Sequence, residues 1–385
     1  MIMQSFDIPR HVLVESAERT LSKTFGKQVR LGQVVRLDSS PRSEVYRINI
    51  LEWLQSGTTT VIAKRVLEQD GLVNEWAGTQ FLTSIAGEAA VAPTFYAGDW
   101  ASGVVIMSDL GEGDGLHTFL LGQDPKAAEQ ALLRWAATLG RMHALTVGKQ
   151  HEYEQIRKIL EPDQSSRVDA PYAEILDLFS QMITDIDLKP APGTKAEVLA
   201  LAQSMMQPGP FTAYTHGDPC PDNVILVDGQ FKFLDFESGM FRHVMLDAIF
   251  ARLNFPWCWC GAHLPEHLPI AMESIYRSEL VKGCPEAEDN TRFFRALVEG
   301  CAAWIVLRSK WLPLRRLLAE DITEDYATAR QKMLFRLSTF AQMTKEFGYL
   351  EAMGETAQHI VTKLRTHWPL EAQSMPYYPA FQSEV

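Results

Sequence analysis

The pattern of apolar and polar positions changes once along the chain, near residue 110. Before that point, short β-branched and apolar segments are typical of strands, and they cover residues 29–37, 44–51, 58–66, 94–99 and 103–107. Between the third and fourth segments, apolar residues at helical spacing predict a helix over 71–85. We therefore expect residues 1–110 to form a β-rich lobe of order β-β-β-α-β-β, with one helix.

After the glycine-rich residues 111–115 the pattern becomes mainly helical. Helices are predicted over 125–146, 269–282, 291–312, 323–347 and 350–367. A predicted strand pair, 223–227 and 230–234, flanks Asp228-Gly229, a dipeptide favoured in two-residue hairpin turns. We expect residues 111–385 to form a larger, mainly helical lobe, which makes the fold class α+β.

Composition excludes several classes of protein. Hydrophobic residues make up 46% and charged residues 22% of the 385, which is typical of a globular chain. The formal net charge of −12 argues against a nucleic-acid partner. No apolar run approaches the roughly 18 residues of a membrane span, and residues 1–20 show no secretion signal. We expect a cytoplasmic protein with no membrane partner, and the odd number of cysteines, five, favours reduced thiols over disulfides.

The most informative segment is 216–223, with the sequence His-Gly-Asp-Pro-Cys-Pro-Asp-Asn. Asp218 and Asn223 lie five residues apart on a proline-rich loop, and the following hairpin can fold Asp235 back beside them. Phosphoryl transfer needs an acidic residue at the attacking hydroxyl and oxygen ligands for Mg²⁺. A polar turn that closes a hairpin is the alternative interpretation.

This motif resembles that of the aminoglycoside phosphotransferase and choline kinase-like family of small-molecule kinases, which share the two-lobed protein-kinase-like fold. The resemblance implies that Asp218 is the catalytic base and that Asn223 and Asp235 are metal ligands. It also implies that His216 supports the loop backbone and that Asp247 steadies the loop. The cofactors implied are ATP or GTP together with Mg²⁺.

The first lobe contains a candidate phosphate contact. Lys64 ends the apolar strand segment 61–63, and Glu75 lies eleven residues later on the predicted helix. The pair resembles the strand lysine and helix glutamate of the kinase fold. Taken alone, such a lysine is more often a solvated edge-strand charge, but its order relative to the later motif favours a phosphate contact.

The loop between the first two predicted strands contains no glycine over 38–43. The family resemblance implies a serine-bearing phosphate loop instead, in which Ser39, Ser40 and Ser43 would contact the nucleotide. An ordinary polar hairpin fits the same residues equally well.

Residues 103–107 lead into a predicted hinge at 108–110, where the resemblance implies that the adenine binds. Met107, Asp109 and Leu110 are the candidate contacts, and Met107 fits a plain core position equally well.

Glu237 follows Asp235 in an Asp-Phe-Glu triplet and is a further candidate metal ligand. The Asp-x-Glu form resembles methylthioribose kinase of the same broad group. A salt bridge to a neighbour or a solvated charge is the alternative for Glu237.

Two other clusters of residues have both a functional and a purely structural interpretation. Cys258 and Cys260, with two nearby histidines, lack a usual zinc-site spacing, so we expect residues 255–259 to form an aromatic loop near the substrate cleft. The basic residues around Trp311 are typical of a solvated helix face, with binding of an anionic partner as the alternative. They are Arg308, Lys310, Arg315 and Arg316.

The expected function is transfer of a γ-phosphoryl group to a hydroxyl of a small molecule such as an aminoglycoside, an amino alcohol or a sugar. Acidic residues in 150–205 and 250–300 favour a cationic acceptor, although such residues are usually solvated. They are Glu152, Glu154, Asp163, Asp169, Asp177, Asp185, Glu286, Glu288 and Asp289. A nucleotide-binding pseudokinase or regulator is the alternative, and a protein kinase is disfavoured because no Ala-Pro-Glu follows Asp235. The sequence does not indicate an oligomeric state.

Overall fold

The computed structural model describes residues 9–52, 58–87, 90–161 and 170–384. The first part of the chain forms an antiparallel five-stranded sheet of order β1-β2-β3-β5-β4 with two helices. Its elements are α1 (Arg10–Phe25), β1 (Arg30–Ser39), β2 (Ser43–Glu52), β3 (Thr60–Val66), α2 (Gln69–Ala86), β4 (Phe95–Asp99) and β5 (Val104–Ser108). The five strands and α2 follow the order expected from the sequence.

Helix α1 is an addition to the one helix expected in this lobe. Its buried face has only Leu13, Ala17 and Leu21 as apolar residues, which pack against the sheet. Ser16 donates a hydrogen bond of 2.5 Å to Asp99, which fixes the helix to the end of β4. The narrow apolar face explains why the sequence pattern did not reveal this helix.

The second part of the chain is mainly helical, with two antiparallel strand pairs, β6 with β9 and β7 with β8. Its first elements are α3 (Leu116–Leu120), α4 (Pro125–Thr146), α5 (Gln150–Leu160), α6 (Ala170–Ala173), α7 (Ile175–Asp185), α8 (Thr194–Met206), β6 (Thr212–Thr215), β7 (Val224–Val227), β8 (Gln230–Phe233) and β9 (Met240–His243). The remaining helices are α9 (Met245–Arg252), α10 (His267–Leu280), α11 (Asn290–Arg308), α12 (Leu314–Ala319), α13 (Ala329–Phe347) and α14 (Glu351–His367). None of the helices in the described ranges is long and apolar enough to cross a membrane.

Helix α4 lies at the centre of the helical core. Gly140 allows it to approach α10 closely, because a Cβ there would lie 2.4 Å from the backbone oxygen of Tyr276. Trp135 of the same helix is 1% exposed and packs on Phe255 with a centroid distance of 5.0 Å. The expected two-lobed α+β fold class is confirmed.

Two of the predicted helices differ from their expected bounds. The segment expected to be one helix over 291–312 ends at Arg308, and Pro313 then precedes the separate helix α12. Helix α13 begins at Ala329 because Thr328 and Gln331 form a capping box. Local caps and a proline therefore set these boundaries more sharply than the apolar pattern indicates.

The expectation of reduced cysteines is wrong for one pair. Cys220 and Cys258 form a disulfide with a Cα–Cα distance of 5.6 Å, across a sequence separation of 38 residues. Cys258 therefore offers no thiolate, which removes the zinc alternative for this segment. The three other cysteines, Cys260, Cys284 and Cys301, are free and buried. Sequence counting missed the pair because tertiary packing brings the two loops together.

Removal of this disulfide is expected to lower the free energy of unfolding by about 2–4 kcal/mol, because the cross-link restricts the unfolded chain. Urea unfolding of the unmutated protein with and without dithiothreitol measures this effect. Cys258→Ala should match the reduced protein and should not respond to the reductant. Alkylation of five thiols in denaturant without reductant, together with equal unfolding midpoints, would contradict the pairing.

Candidate active site

A cleft of about 280 Å³ lies between the five-stranded sheet and the β7–β8 hairpin. Many of the predicted site residues line it: Ser43, Lys64, Glu75, Met107, Asp109, Leu110, Asn223 and Asp235. These residues come from segments that are far apart in the sequence. The fold thus brings most of the predicted nucleotide contacts, and two of the three predicted metal ligands, to one cavity.

Lys64 on β3 contacts acidic side chains from both parts of the chain that form the cleft. Its Nζ lies 2.7 Å from Oε2 of Glu75 on α2 and 2.7 Å from Oδ1 of Asp235 after β8. Lys64 is 5% exposed and Glu75 only 1% exposed. Burial acts to lower the pKa of Lys64, but the two carboxylates outweigh it and hold that pKa above its ordinary value. The ammonium group therefore remains charged at neutral pH.

The oxygen donors of Asp235 and Asn223 face the same cleft. Burial acts to raise the pKa of Asp235, but the neighbouring Lys64 charge outweighs it and the pKa is lowered. The Asn223 Nδ2 donates to the backbone oxygen of Asp218 at 2.9 Å, which leaves its side-chain oxygen as the available ligand atom. A carboxylate and an amide oxygen fit the hard oxygen ligands that Mg²⁺ prefers.

Asp218 lies on the loop beside this cleft. Its Oδ2 accepts a hydrogen bond of 3.3 Å from Asn223, whereas its Oδ1 is buried and has no hydrogen-bond partner in the part of the chain that the structure describes. Burial raises the pKa of Asp218 above its ordinary value, although His216 and Arg308 oppose the shift. A carboxylate oxygen that is free and more basic than usual can accept a proton from a bound hydroxyl.

His216 forms hydrogen bonds that fix the loop that carries Asp218. Its Nε2 donates to the backbone oxygen of Leu234 at 2.7 Å, so its Nδ1 accepts the backbone N–H of Asp218 at 3.2 Å. The imidazole therefore joins the loop that carries Asp218 to the chain just before Asp235. This contact agrees with the supporting role that the resemblance implies.

Asp247 fixes the backbone of the same loop. Its carboxylate accepts the backbone N–H of His216 at 2.6 Å and that of Gly217 at 3.1 Å. Gly217 has a φ of +87°, and a Cβ there would lie 2.4 Å from a backbone oxygen. His143 of α4 lies 3.5 Å from Asp247 and is a neighbour that the sequence analysis missed.

The pKa of Asp247 makes the stability of the folded protein depend on pH in the acidic range. Burial acts to raise its pKa, but His143 and Arg242 outweigh burial and the pKa is lowered. A lowered pKa in the folded state gives stability that is present above the ordinary pKa and is lost as the pH falls through the folded value. Each unit of difference corresponds to about 1.4 kcal/mol.

We therefore expect urea unfolding between pH 3 and 7 to show a loss of stability below about pH 4 that is smaller in Asp247→Asn. The exposed Asp187 provides a matched control, since Asp187→Asn should retain the acid response of the unmutated protein. Parallel pH profiles for all three proteins would show that Asp247 does not contribute.

The predicted phosphate loop is a tight polar turn. The Oγ of Ser40 accepts the backbone N–H groups of Arg42 and Ser43 at 3.2 and 3.0 Å. Ser39 accepts a hydrogen bond from Arg36, and Ser43 is the one of the three serines that lines the cleft. Nucleotide contacts from Ser39, Ser40 and Ser43 stay predictions, because Ser39 and Ser40 already have local partners.

The hinge contains a contact that the sequence analysis missed. The side chain of Asp109 accepts hydrogen bonds from Arg47 at 2.5 Å, Thr60 at 2.8 Å and the backbone N–H of Gly111 at 2.8 Å. Burial acts to raise the pKa of Asp109, but these donors outweigh it and the pKa is lowered. Asp109 therefore ties the hinge to β2 and β3, which leaves its backbone and that of Leu110 at the cleft.

Glu237 lies at the rim rather than among the residues that line the cleft. Its Oε1 is 2.8 Å from the guanidinium of Arg42, and its backbone oxygen accepts a hydrogen bond of 2.8 Å from Asn74 on α2. This geometry fits the salt-bridge alternative. A metal contact by Glu237 stays a prediction.

The aromatic loop at 255–259 is attached to the loop that carries Asp218. Besides the disulfide, Trp259 Nε1 donates to Oδ2 of Asp222 at 2.8 Å. The adjacent Trp257 has the guanidinium carbon of Arg308 at 4.8 Å from its ring centroid. The loop and Arg308 are thus close neighbours of the loop that carries Asp218.

Comparison with models of protein families finds one match. Residues 79–268 match the phosphotransferase enzyme family, APH. The predicted resemblance is confirmed. The matched segment covers just under half of the chain and contains α4, the loop with Asp218 and the metal-ligand candidates Asn223 and Asp235. Lys64 and Glu75 precede the matched segment, and the fold brings them to it.

Solved structures with kinase activities of different kinds show a distant likeness. An ethanolamine kinase of Plasmodium vivax is 10% identical, covering 96% of this chain and 94% of that chain, with a TM-score of 0.48. A choline kinase of Streptococcus pneumoniae is 12% identical, covering 88% and 98%, with a TM-score of 0.42. A macrolide 2′-phosphotransferase of Brachybacterium faecium is 14% identical, covering 80% and 96%, with a TM-score of 0.42. Their acceptors differ and assign none to this chain, and a comparison with curated proteins finds no match.

Proposed function

We propose that this chain transfers the γ-phosphoryl group of ATP or GTP to a hydroxyl of a small molecule. The observation that carries the proposal is the pair of 2.7 Å contacts that Lys64 makes with Glu75 and Asp235 at one cleft. The phosphotransferase family match supports the same reaction class. Residues 1–110 would hold the nucleotide, and residues 111–385 would supply the catalytic loop and the acceptor site.

The chain's own charges would orient the phosphates. Lys64 would contact phosphate oxygens while Glu75 holds its side chain in place, and the backbone at Met107 to Leu110 would bind the base. Asp235 and the side-chain oxygen of Asn223 would hold Mg²⁺. When bound there, Mg²⁺ supplies positive charge that offsets the negative phosphate oxygens.

Asp218 would act on the acceptor. Its unpartnered Oδ1 accepts the proton of the attacking hydroxyl as the new O–P bond forms and the bond to the β-phosphate oxygen breaks. Positioning and charge supply most of the rate in such reactions, so the fixed loop around His216 and Asp247 is part of the machinery. A cytoplasmic location for this reaction stays a prediction.

A nucleotide-binding regulator without turnover is the competing function. The self-bonded serine turn fits it, whereas the complete set of Lys64, Asp218, Asn223 and Asp235 favours an enzyme. The two functions differ in nucleotide diphosphate release rather than in nucleotide binding.

A thermal-shift titration with ATP, GTP and Mg²⁺ tests the proposal on the unmutated protein, Asp235→Ala and the control Asp228→Asn at the hairpin turn. We expect Mg²⁺-dependent stabilisation by one nucleotide, about 2.7 kcal/mol at a hundredfold excess over its Kd, lost only in Asp235→Ala. Release of nucleotide diphosphate with a panel of hydroxyl acceptors should follow. Binding without release for every acceptor would favour the regulator, and no binding would overturn both.

A further inference from the structure

Arg308 ends α11 among tryptophan rings beside the catalytic loop. Its guanidinium carbon lies 4.8 Å from the ring centroid of Trp257, 5.4 Å from that of Trp304 and 5.5 Å from that of Trp311. Trp257 precedes Cys258, whose disulfide partner Cys220 is two residues after Asp218. The aromatic loop therefore places this cation close to the loop that carries Asp218.

A second guanidinium lies behind the first. The guanidinium carbon of Arg336 on α13 is 5.1 Å from the centroid of Trp304, the same ring that Arg308 contacts. Arg336 is 3% exposed, and its Nε is buried with no hydrogen-bond partner in the described part of the chain. Two arginines thus share one aromatic ring in a chain whose formal net charge is −12.

Among the described residues, no carboxylate is paired directly with either arginine. Across the described ranges, neither guanidinium makes a salt bridge or a hydrogen bond to an acidic side chain. Glu324, which is close enough to influence Arg336, is instead bonded to Lys332. A buried charge without a partner is costly, so such a pair is typical of a site that receives its counter-ion from a ligand.

The electrostatics agree with this geometry. Burial lowers the pKa of Arg308 to about 10, although Asp218 opposes the shift. Burial also lowers the pKa of Arg336 to about 9. Both charged forms are therefore disfavoured by their surroundings, and a bound anion would stabilise them.

Arg308 differs from the other cations of the basic cluster around Trp311. Lys310 is exposed and lies 2.7 Å from a carboxylate oxygen of Glu174. Arg315 and Arg316 are exposed on α12. These three fit the solvated helix face expected from the sequence, whereas Arg308 is partly buried against rings.

We propose that Arg308, supported by Arg336, binds an anionic group of the acceptor, a carboxylate or a phosphate. The inference rests on the proposed phosphotransferase function and names the class of its acceptor: a small hydroxyl compound with a negative charge. Trp257, Trp259 and Trp311, which are 38%, 41% and 59% exposed, are available to pack against the body of such a compound.

This acceptor differs from the cationic one expected from the sequence. A cationic amine bound there would be repelled by the positive charge of Arg308, which lies over Trp257. Of the acidic residues behind that expectation, Glu152, Glu154 and Asp177 are exposed, and Asp289 caps α11. Asp163 and Asp169 lie outside the described residues.

Matched probes test the inference by binding. Isothermal titration with ADP and Mg²⁺ present would compare glucose 6-phosphate with glucose, glycerate with glycerol, and ethanolamine and choline as cations. We expect at least one anionic probe to bind about tenfold or more tightly than its neutral counterpart, a difference of about 1.4 kcal/mol. The inference would be overturned if the neutral and cationic probes all bind as tightly as the anionic probes or more tightly.

Variants assign any preference to Arg308. Arg308→Gln should abolish the difference between the charged and neutral members of a pair, Arg308→Lys should keep part of it, and the exposed control Arg316→Gln should keep all of it. Retained stabilisation by ADP and Mg²⁺ shows that each variant is folded. An equal loss for charged and neutral probes in Arg308→Gln would show a packing role and overturn the inference.

The failure of the inference and that of the proposed function give different results. Binding of an anionic probe that depends on Arg308, without nucleotide diphosphate release for any acceptor, would support the anion site and contradict the kinase activity. Phosphorylation of neutral or cationic acceptors without an anion preference would support the kinase and contradict the anion site.

Discussion

Asp218→Asn is expected to lower kcat for phosphoryl transfer by about 10²- to 10⁴-fold while nucleotide binding is retained. The substitution keeps the size of the side chain and its contact with Asn223, but it removes the basic oxygen that is buried without a partner. In the proposed function, nucleotide and Mg²⁺ bind through Lys64 and Asp235, which the substitution leaves in place. The measurement is nucleotide diphosphate release at saturating nucleotide and acceptor.

The pH dependence provides a second readout for Asp218. Burial raises its pKa, and the reaction needs the ionised carboxylate, so kcat of the unmutated enzyme should fall as the pH drops through that raised value. The residual activity of Asp218→Asn should lack this acidic limb. If the acidic limb of the kcat profile is missing in the variant, the lost activity is due to loss of a base and not to a general loss of structure.

Asp228→Asn is the matched control for this variant. Asp228 occupies the exposed hairpin turn with a φ of +50°, a conformation that asparagine also tolerates. This control should retain full activity and stability. Near-normal kcat in Asp218→Asn would contradict the assignment of Asp218 as the base.

Lys64→Met is expected to abolish turnover and also to lower the free energy of unfolding by about 3–5 kcal/mol. The stability loss arises because Glu75, only 1% exposed, loses the ammonium group that lies 2.7 Å from it. Loss of the same group removes the positive charge expected at the phosphates. Urea unfolding and nucleotide diphosphate release measure the two effects separately.

The double variant Lys64→Met with Glu75→Gln distinguishes the two roles of the lysine. It should recover much of the lost stability, since the fully buried carboxylate of Glu75 is removed and the remaining partner of Lys64, Asp235, is one-third exposed, but it should stay inactive. Lys195→Met, at an exposed position of α8, is the control and should change neither property. Equal stability of Lys64→Met and the unmutated protein would contradict the buried ion pair.

The direction of the Lys64 pKa shift determines how the ion pair of Lys64 and Glu75 responds to pH. The folded-state pKa of Lys64 is raised, so its contribution to stability is present below the ordinary lysine pKa and is lost only as the pH rises through the higher folded value. Assays between pH 6 and 9 therefore compare Lys64 in one protonation state. Any change in kcat within that window must come from other groups, of which Asp218 is the candidate.

The sequence by itself determined the catalytic loop and the β7–β8 hairpin, because both depend on residues that are neighbours in the chain. The spacing from His216 to Asn223 and the turn at Asp228-Gly229 are local signals, and the apolar periods of the strands and of α4 are equally local. The order of Lys64, Glu75 and the later motif could be interpreted only through the family resemblance. The fold then brought Lys64, Glu75 and Asp235 into contact.

Only the tertiary structure decided which distant groups surround that core. The Cys220–Cys258 disulfide and the tie of Asp109 to Arg47 join residues 38 and 62 positions apart, and no spacing rule predicts either. Arg308 looked like one charge of a solvated helix face until packing placed it over Trp257 beside the catalytic loop. Local patterns specify elements and short loops, whereas the partners of a charge depend on how those elements pack.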